Sequence, residues 1–326
     1  MTTIQVGTAL SSGLGIIQGA LNIGELPDGS PVDIPVTIVR GAREGPTLWL
    51  NGCVHGNEYC GTFIIHEFIR SLDPSSLSGC VVALPVLNLP GFQKNQRMSP
   101  FEGMGGGDLN RAFPGKDRGS VTEQMAFAIY APLKRFANYL IDFHSAYTAD
   151  TRWALYADMG GEVSEKGLEI ARAFGYEHTL PAPKGILGGS SMMTAGGDGI
   201  PSFIVEAGGM GAAFEPGTVK ESAERLRNVA RQLGMLPGTI TDYGPLTLFS
   251  NFDWVCSSRG GLYESTIACG QEVQSGQVIG NYFDVFGLRT GEATSPSAGI
   301  VLAIHPGPII TRGDTLIHIG LNPRKG

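Results

Sequence analysis

This sequence predicts an α/β fold, a mixed and largely parallel sheet with flanking helices, followed by a small all-β domain. Three observations carry the prediction. Between about 47 and 230, apolar strand-like runs alternate with stretches whose apolar residues recur at helical spacing. Polar residues able to do chemistry stand at the ends of several of those strand-like runs. From 246 to 321 no helix-period segment occurs, and short β-like runs are punctuated by glycine.

The elements follow in order. Residues 1–40 read as β with turns, as in Val32-Asp33-Ile34-Pro35-Val36-Thr37-Ile38-Val39. Strands are expected at 47–54, 81–88, 139–143, 152–157 and 202–206. Helices are expected at 58–72, where Phe63, Ile64, Phe68, Ile69 and Leu72 fall at helical spacing, and at 122–138 and 219–233. The Gly-rich segment Gly185–Met193 is expected to be a mobile loop at the mouth of the site, against the plainer reading of a surface turn. The text around Met235-Leu236-Pro237-Gly238 and Tyr243-Gly244-Pro245 marks a boundary. It divides the chain into a catalytic domain at 1–240 and a small β domain at 241–326.

Composition narrows the function. The 326 residues carry a net charge of -7 and no basic stripe, which argues against a nucleic-acid partner. No run approaches the roughly 18 apolar residues of a membrane span. The opening Met1-Thr2-Thr3-Ile4-Gln5 lacks a basic region leading into an apolar core, so no secretory signal is expected. Five cysteines, Cys53, Cys60, Cys80, Cys256 and Cys269, contain no C-x-x-C pair and read as buried thiols of a reducing cytoplasm.

The chemistry gathers at strand ends. Thr47–Val54 runs into His55, and Glu58 follows at H-x-x-E spacing. His144 closes Ile141-Asp142-Phe143-His144. Two imidazoles and a carboxylate are a three-ligand set for catalytic zinc, with one position left for water. Each histidine alone is as readily a satisfied core residue. Their sharing one sheet edge with Asn88 and Glu206 favours a ligand site, because open parallel sheets bind ligands outside the carboxyl ends of their strands. Glu206, ending Phe203-Ile204-Val205-Glu206, suits a general base whose burial raises its pKa toward neutrality, or else a cap on the Gly-rich turn that follows. Asp142 shares a strand face with His144 and is a candidate acceptor for its imidazole. Asn110 and Arg111, after Gly105-Gly106-Gly107-Asp108, offer a carboxamide and a guanidinium fork for a carboxylate. Arg97 is placed to polarise a carbonyl. Taken singly, either arginine also reads as a surface residue.

These motifs, His55-Gly56-Asn57-Glu58, Asp108-Leu109-Asn110-Arg111-Ala112-Phe113-Pro114-Gly115, Asp142-Phe143-His144 and Val205-Glu206-Ala207-Gly208, stand in an order that resembles the succinylglutamate desuccinylase/aspartoacylase family, relatives of zinc carboxypeptidases. The resemblance covers roughly 45–235. It implies a zinc-carboxypeptidase-like sheet, one Zn2+ per chain on His55, Glu58 and His144, Glu206 as base, Asn110 and Arg111 on a substrate carboxylate, and Arg97 at the carbonyl. The tail and the long Arg97–Asp108 linker resemble the branch of N-acetyl-diaminobutyrate deacylases.

The tail also resembles a biotinyl/lipoyl-type half-barrel, but 241–324 holds no lysine to carry a cofactor. The expected activity is hydrolysis of a small N-acyl amino acid in amino-acid metabolism. Its alternatives are a metallocarboxypeptidase on small peptides and a non-catalytic binding protein that kept the fold. Edge strands in the tail leave a homo-oligomer open.

Overall fold

The computed structural model describes residues 3–26, 28–100, 102, 107–146, 151–209 and 214–326. Gly105 and Gly106 of the glycine run lie outside them. A hairpin, β1 (Ile4–Val6) and β2 (Ala9–Ser11), precedes two long antiparallel strands, β3 (Gly15–Glu25) and β4 (Pro31–Arg40). Strand and helix then alternate. The order is β5 (Arg43–Gly52), α1 (Cys60–Arg70), β6 (Ser78–Leu84), α2 (Leu89–Lys94), a 3-10 turn at Leu109–Arg111 and α3 (Val121–Phe136). There follow β7 (Tyr139–His144), β8 (Thr151–Asp158), α4 (Gly161–Phe174), β9 (His178–Pro183), α5 (Ser191–Gly197), β10 (Ser202–Gly208) and α6 (Pro216–Gln232).

The tail holds short strands: β11 (Thr247–Leu248), β12 (Asn251–Cys256), β13 (Gly261–Ser265), β14 (Glu272–Val273) and β15 (Val278–Phe283). They continue with β16 (Arg289–Thr294), β17 (Gly299–Ile304), β18 (Ile309–Ile310), β19 (Thr315–Leu321) and β20 (Arg324–Lys325).

One ten-stranded sheet, ordered β20-β11-β9-β8-β10-β7-β5-β6-β4-β3, organises the molecule. Its centre is parallel: β10 pairs with β7, and β7 with β5, in the same direction. Buried on both faces, these strands read as near-continuous apolar runs. Ile64 and Phe68 of α1, Ile170 and Phe174 of α4 and Leu226 and Val229 of α6 form the core on one face. Met125, Ile129 and Leu133 of α3 pack the other, with Trp49 and Leu140 from the sheet. The Ser120 side chain and Glu123 close a capping box that starts α3.

The tail's strands split. β11 and β20 pair with each other, and β11 extends the main sheet beside β9. The rest form two four-stranded sheets, β12-β19-β17-β14 and β16-β15-β13-β18. Both enclose one apolar core that includes Val255, Tyr263, Ile279, Val301 and Ile317.

Two expectations are corrected. Cys53, Cys60 and Cys80 are buried, but Cys256 and Cys269 are exposed, on and near the thin sheets of the tail. Ser191, Met192 and Met193, expected in a loop, begin α5. Ser190 caps that helix through Met193 N–H, and Met192 is buried against the sheet. The loop is therefore confined to Gly185–Ser190.

Candidate metal centre

β5 ends at Gly52, and the chain turns sharply at Cys53, whose φ of 51° lies in the left-handed region. His55 and Glu58 both sit in that turn, ahead of α1 at Cys60. The sequence places Glu58 at the helix start; in the structure H-x-x-E instead closes the turn, Glu58 N–H donating to the His55 carbonyl at 3.1 Å. Gly61 then lets α1 lie directly on β7, since a Cβ there would stand 2.3 Å from Phe143 Cβ. That approach brings Glu58 beside His144, at the end of β7.

Glu58 is the hub. Its Oε1 is 2.8 Å from His55 Nδ1, and its Oε2 is 3.0 Å from His144 Nδ1. Ser145 N–H donates to Oε2 at 3.1 Å, and an Arg97 guanidinium nitrogen donates to Oε1 at 2.7 Å. One ligand atom from each of His55, Glu58 and His144 lies within 4.8 Å of the others, and all three side chains are 2–3% exposed.

The outer nitrogens face carboxylates. Asp108 Oδ1 is 3.2 Å from His55 Nε2, and Asp142 Oδ2 is 3.4 Å from His144 Nε2, an ion-pair distance rather than a well-formed hydrogen bond. Ser191 Oγ donates to that same Asp142 oxygen. Carboxylates behind the imidazoles fix ring orientation and leave both Nδ1 atoms converging on one point.

The charges hold one another. Burial would raise the Glu58 pKa, but the His55 charge and the His144 hydrogen bond keep it well below the usual carboxylate range. Burial would lower that of His144, yet the Asp142 charge, with Glu58, holds it well above the usual imidazole value. Burial would likewise raise the Asp108 carboxyl, but the His55 hydrogen bond brings it down to about 2.

Glu206 lies inside β10, directly opposite His144 in the parallel pairing. It is partly exposed to the pocket, and its Oε2 has no hydrogen-bond partner among the described residues. Burial pushes its carboxyl up to about 7.

The remaining expected residues separate. Asn88 is spent on structure: its side chain caps α2 at Gly91 N–H and donates to the Arg97 carbonyl. Arg97, Asn110 and Arg111 line the same pocket as the cluster and Glu206. Ser99 and Gly107 form an isolated β-bridge, which draws the segment after Arg97 toward Asp108. Asp108 caps the 3-10 turn through Asn110 N–H. Asn110 is buried with its carboxamide oxygen lacking a partner among the described residues, and an Arg111 guanidinium nitrogen rests on the Asn110 carbonyl.

The sequence reading missed Trp153, Phe252, Trp254 and His318, which also line the pocket. The last three come from the tail. Only their strand register, Trp254 opposite His318, brings them together.

Two buried imidazoles and a carboxylate beside a carboxyl that titrates near neutrality, at the C-terminal edge of an α/β sheet, define a metal-dependent hydrolase that suits zinc. The sequence comparisons carry this to a family. The succinylglutamate desuccinylase/aspartoacylase catalytic domain matches residues 44–233, and the chain belongs to that family. It is 29% identical to the N-alpha-acetyl-L-2,4-diaminobutyric acid deacetylase of Halomonas elongata, over 87% of this chain and 84% of that protein.

Among solved structures it resembles the product-bound ectoine utilization protein EutE (DoeB) of Ruegeria pomeroyi. The TM-score is 0.86 at 25% identity, covering 98% of each chain. A succinylglutamate desuccinylase/aspartoacylase from Rhodobacter sphaeroides gives a TM-score of 0.81 at 27% identity, over 96% of this chain and 94% of that one.

Proposed function

We propose that this protein is a zinc-dependent deacylase that cleaves the amide bond of an N-acyl amino acid. The carrying observation is the convergence of His55, Glu58 and His144 within 4.8 Å beside Glu206, whose Oε2 has no partner among the described residues. The donor set fits zinc: two imidazole nitrogens already oriented by Asp108 and Asp142, and one buried carboxylate. One ion per chain would sit on these three residues. Bound there, zinc supplies a Lewis acid for the carbonyl and lowers the pKa of its water toward about 7.

The chain's own residues do the rest. Glu206 takes the proton of the attacking water and returns it to the leaving amine. Asn110 and Arg111 hold a substrate carboxylate, Arg111 through its planar fork. Arg97 now donates to Glu58; turning toward the scissile carbonyl would let it stabilise the developing oxyanion. Phe252, Trp254 and His318 stand across the pocket. They favour a small acyl amino acid over the extended peptide of a carboxypeptidase.

The diaminobutyrate deacetylase relative supports amide hydrolysis on an acylated amino acid as the class. No described helix is long and apolar enough to cross a membrane, and none of the five cysteines forms a disulfide. Both accord with a cytoplasmic enzyme. Two thin sheets around one core support a half-barrel reading of residues 241–326 as a module without a carrier lysine.

The test is a metal assay followed by a deacylation screen. Purified protein should take up one zinc per chain, and the loaded protein should free amines from N-acetyl or N-succinyl amino acids. Failure to bind zinc, or activity that persists in Glu58→Ala after its zinc is lost, would sink the reading.

A further inference from the structure

One wall of the pocket is made by the tail. Side chains alternate along a strand, and β12 pairs with β19 so that Trp254 faces His318. Phe252, Trp254 and His318 therefore share one face, and Val255, Ile317 and Ile319 the other. The second set builds the tail's core, and the first lines the pocket.

The wall is continuous. The Trp254 and His318 rings stack at 5.3 Å and 14°, Phe252 tilts against Trp254 at 6.1 Å, and Trp153 meets His318 edge-on at 6.1 Å. Burial, with the Arg97 charge, lowers His318 to about 4, so its ring is neutral at pH 7. Trp153 is 3% exposed, and its indole N–H has no acceptor among the described residues. A buried donor left unmade is costly, and a ligand oxygen would satisfy it.

Charge sets what the wall can take. Among the described lining residues the carboxylates are Glu58 and Glu206, and both belong to the reaction. Arg97 is engaged with Glu58, and Arg111 serves the carboxylate clamp. Among the described lining residues no further carboxylate is present to pair a substrate ammonium.

Resting on the deacylase reading, we propose that the substrate is an N-acyl amino acid bearing a planar apolar ring, which lies against Trp254 and His318 while the Trp153 indole N–H donates to a substrate oxygen. Offset or edge-on aromatic packing at such distances adds to the burial of the ring itself. The ring can belong to the acyl group or to the amino-acid side chain.

Five compounds decide it: N-acetylphenylalanine, N-benzoylglycine, N-acetylalanine, N-acetyl-2,4-diaminobutyrate and N-succinylglutamate. Turnover is measured with zinc-loaded protein, and binding to Glu206→Gln by tryptophan fluorescence. A ring-bearing compound should exceed N-acetylalanine by roughly 10- to 100-fold in kcat/KM. Trp254 is 45% exposed, so replacing it leaves the core intact. Trp254→Ala should cut that ratio about tenfold, and Trp254→Phe should keep most of it.

A lead for N-acetylphenylalanine puts the ring on the side chain; a lead for N-benzoylglycine puts it on the acyl group. A lead for the diaminobutyrate or succinylglutamate compound overturns the inference, as does a ratio indifferent to Trp254→Ala. Trp254-dependent binding of a ring compound with no hydrolysis of any compound would leave the wall assigned and remove the deacylase reading. With neither turnover nor binding of a ring compound, both fall.

Discussion

Gly189→Ala should damage the carboxylate clamp from outside it. Gly189 has a φ of +79°, and a Cβ built there would stand 2.2 Å from the Arg111 carbonyl oxygen and 2.6 Å from its carbon. Both contacts are backbone, so no side chain can rotate away. The Gly189 carbonyl also accepts from Phe113 N–H at 2.9 Å, which ties the two segments together. Relief needs a displacement of about 1 Å to restore an ordinary contact, and the left-handed conformation costs alanine roughly 1–2 kcal/mol in addition.

The total is on the order of 2–4 kcal/mol, or about 3–6 °C in Tm for a chain of this size. A 1 Å shift of a substrate-positioning residue costs about 100-fold in kcat/KM. Zinc content should hold, because the ligands sit in the turn after β5 and at the end of β7. Thermal melts, metal analysis and kinetics on an acyl amino acid and its carboxylate-blocked amide make the assay. A variant with wild-type Tm and wild-type preference for the free carboxylate would refute the coupling of this loop to Arg111.

Four further outcomes are expected. Glu206→Gln should keep zinc and fold while turnover falls by several orders of magnitude, since the amide cannot accept a proton; near wild-type kcat would assign the base elsewhere. The Glu206 carboxyl is raised from 4.5 to about 7 in the folded protein. Its contribution to the stability of zinc-free protein is thus full below the unfolded value and is lost as pH rises through about 7, and Glu206→Gln should flatten that part of the unfolding curve. Blocking the substrate carboxylate as an ester or amide should cost about 30- to 1000-fold in kcat/KM, with Arg111→Lys recovering little of the fork's contribution; equal rates on acid and ester would discard the clamp. Asp142→Asn should weaken zinc binding by roughly 10- to 100-fold in a chelator competition, since it loosens the support behind His144; unchanged affinity would make Asp142 purely structural.

Legibility in the sequence followed locality. β7 and β10 were readable because strands buried on both faces are continuously apolar, and His144 at the end of one and Glu206 within the other broke that pattern visibly. His55 and Glu58 were readable as a spacing, though not as a turn, because the left-handed Cys53 that makes the turn has no residue-type signature. β9 was hidden by Pro181 and Pro183, residues that argue against a strand. α5 was hidden by glycines at 196 and 197 that weaken a helical reading. Two strands of 11 and 10 residues, β3 and β4, replaced the short segments read at the start of the chain. Phe252, Trp254 and His318 carried no local signal, since their common face exists only in the register of β12 on β19.

That register also separates two kinds of mutational freedom. Phe252, Trp254 and His318 point toward the reacting site, while their alternates Val255, Ile317 and Ile319 point into the tail's own interior. A combinatorial library confined to the first three would sample new substrate preferences at little cost in folding. The same library moved to the second three would sample melting temperature and leave the preference nearly constant. Laboratory evolution of this scaffold can therefore change what it accepts by editing one side of a two-stranded ribbon, without touching any residue of the reaction.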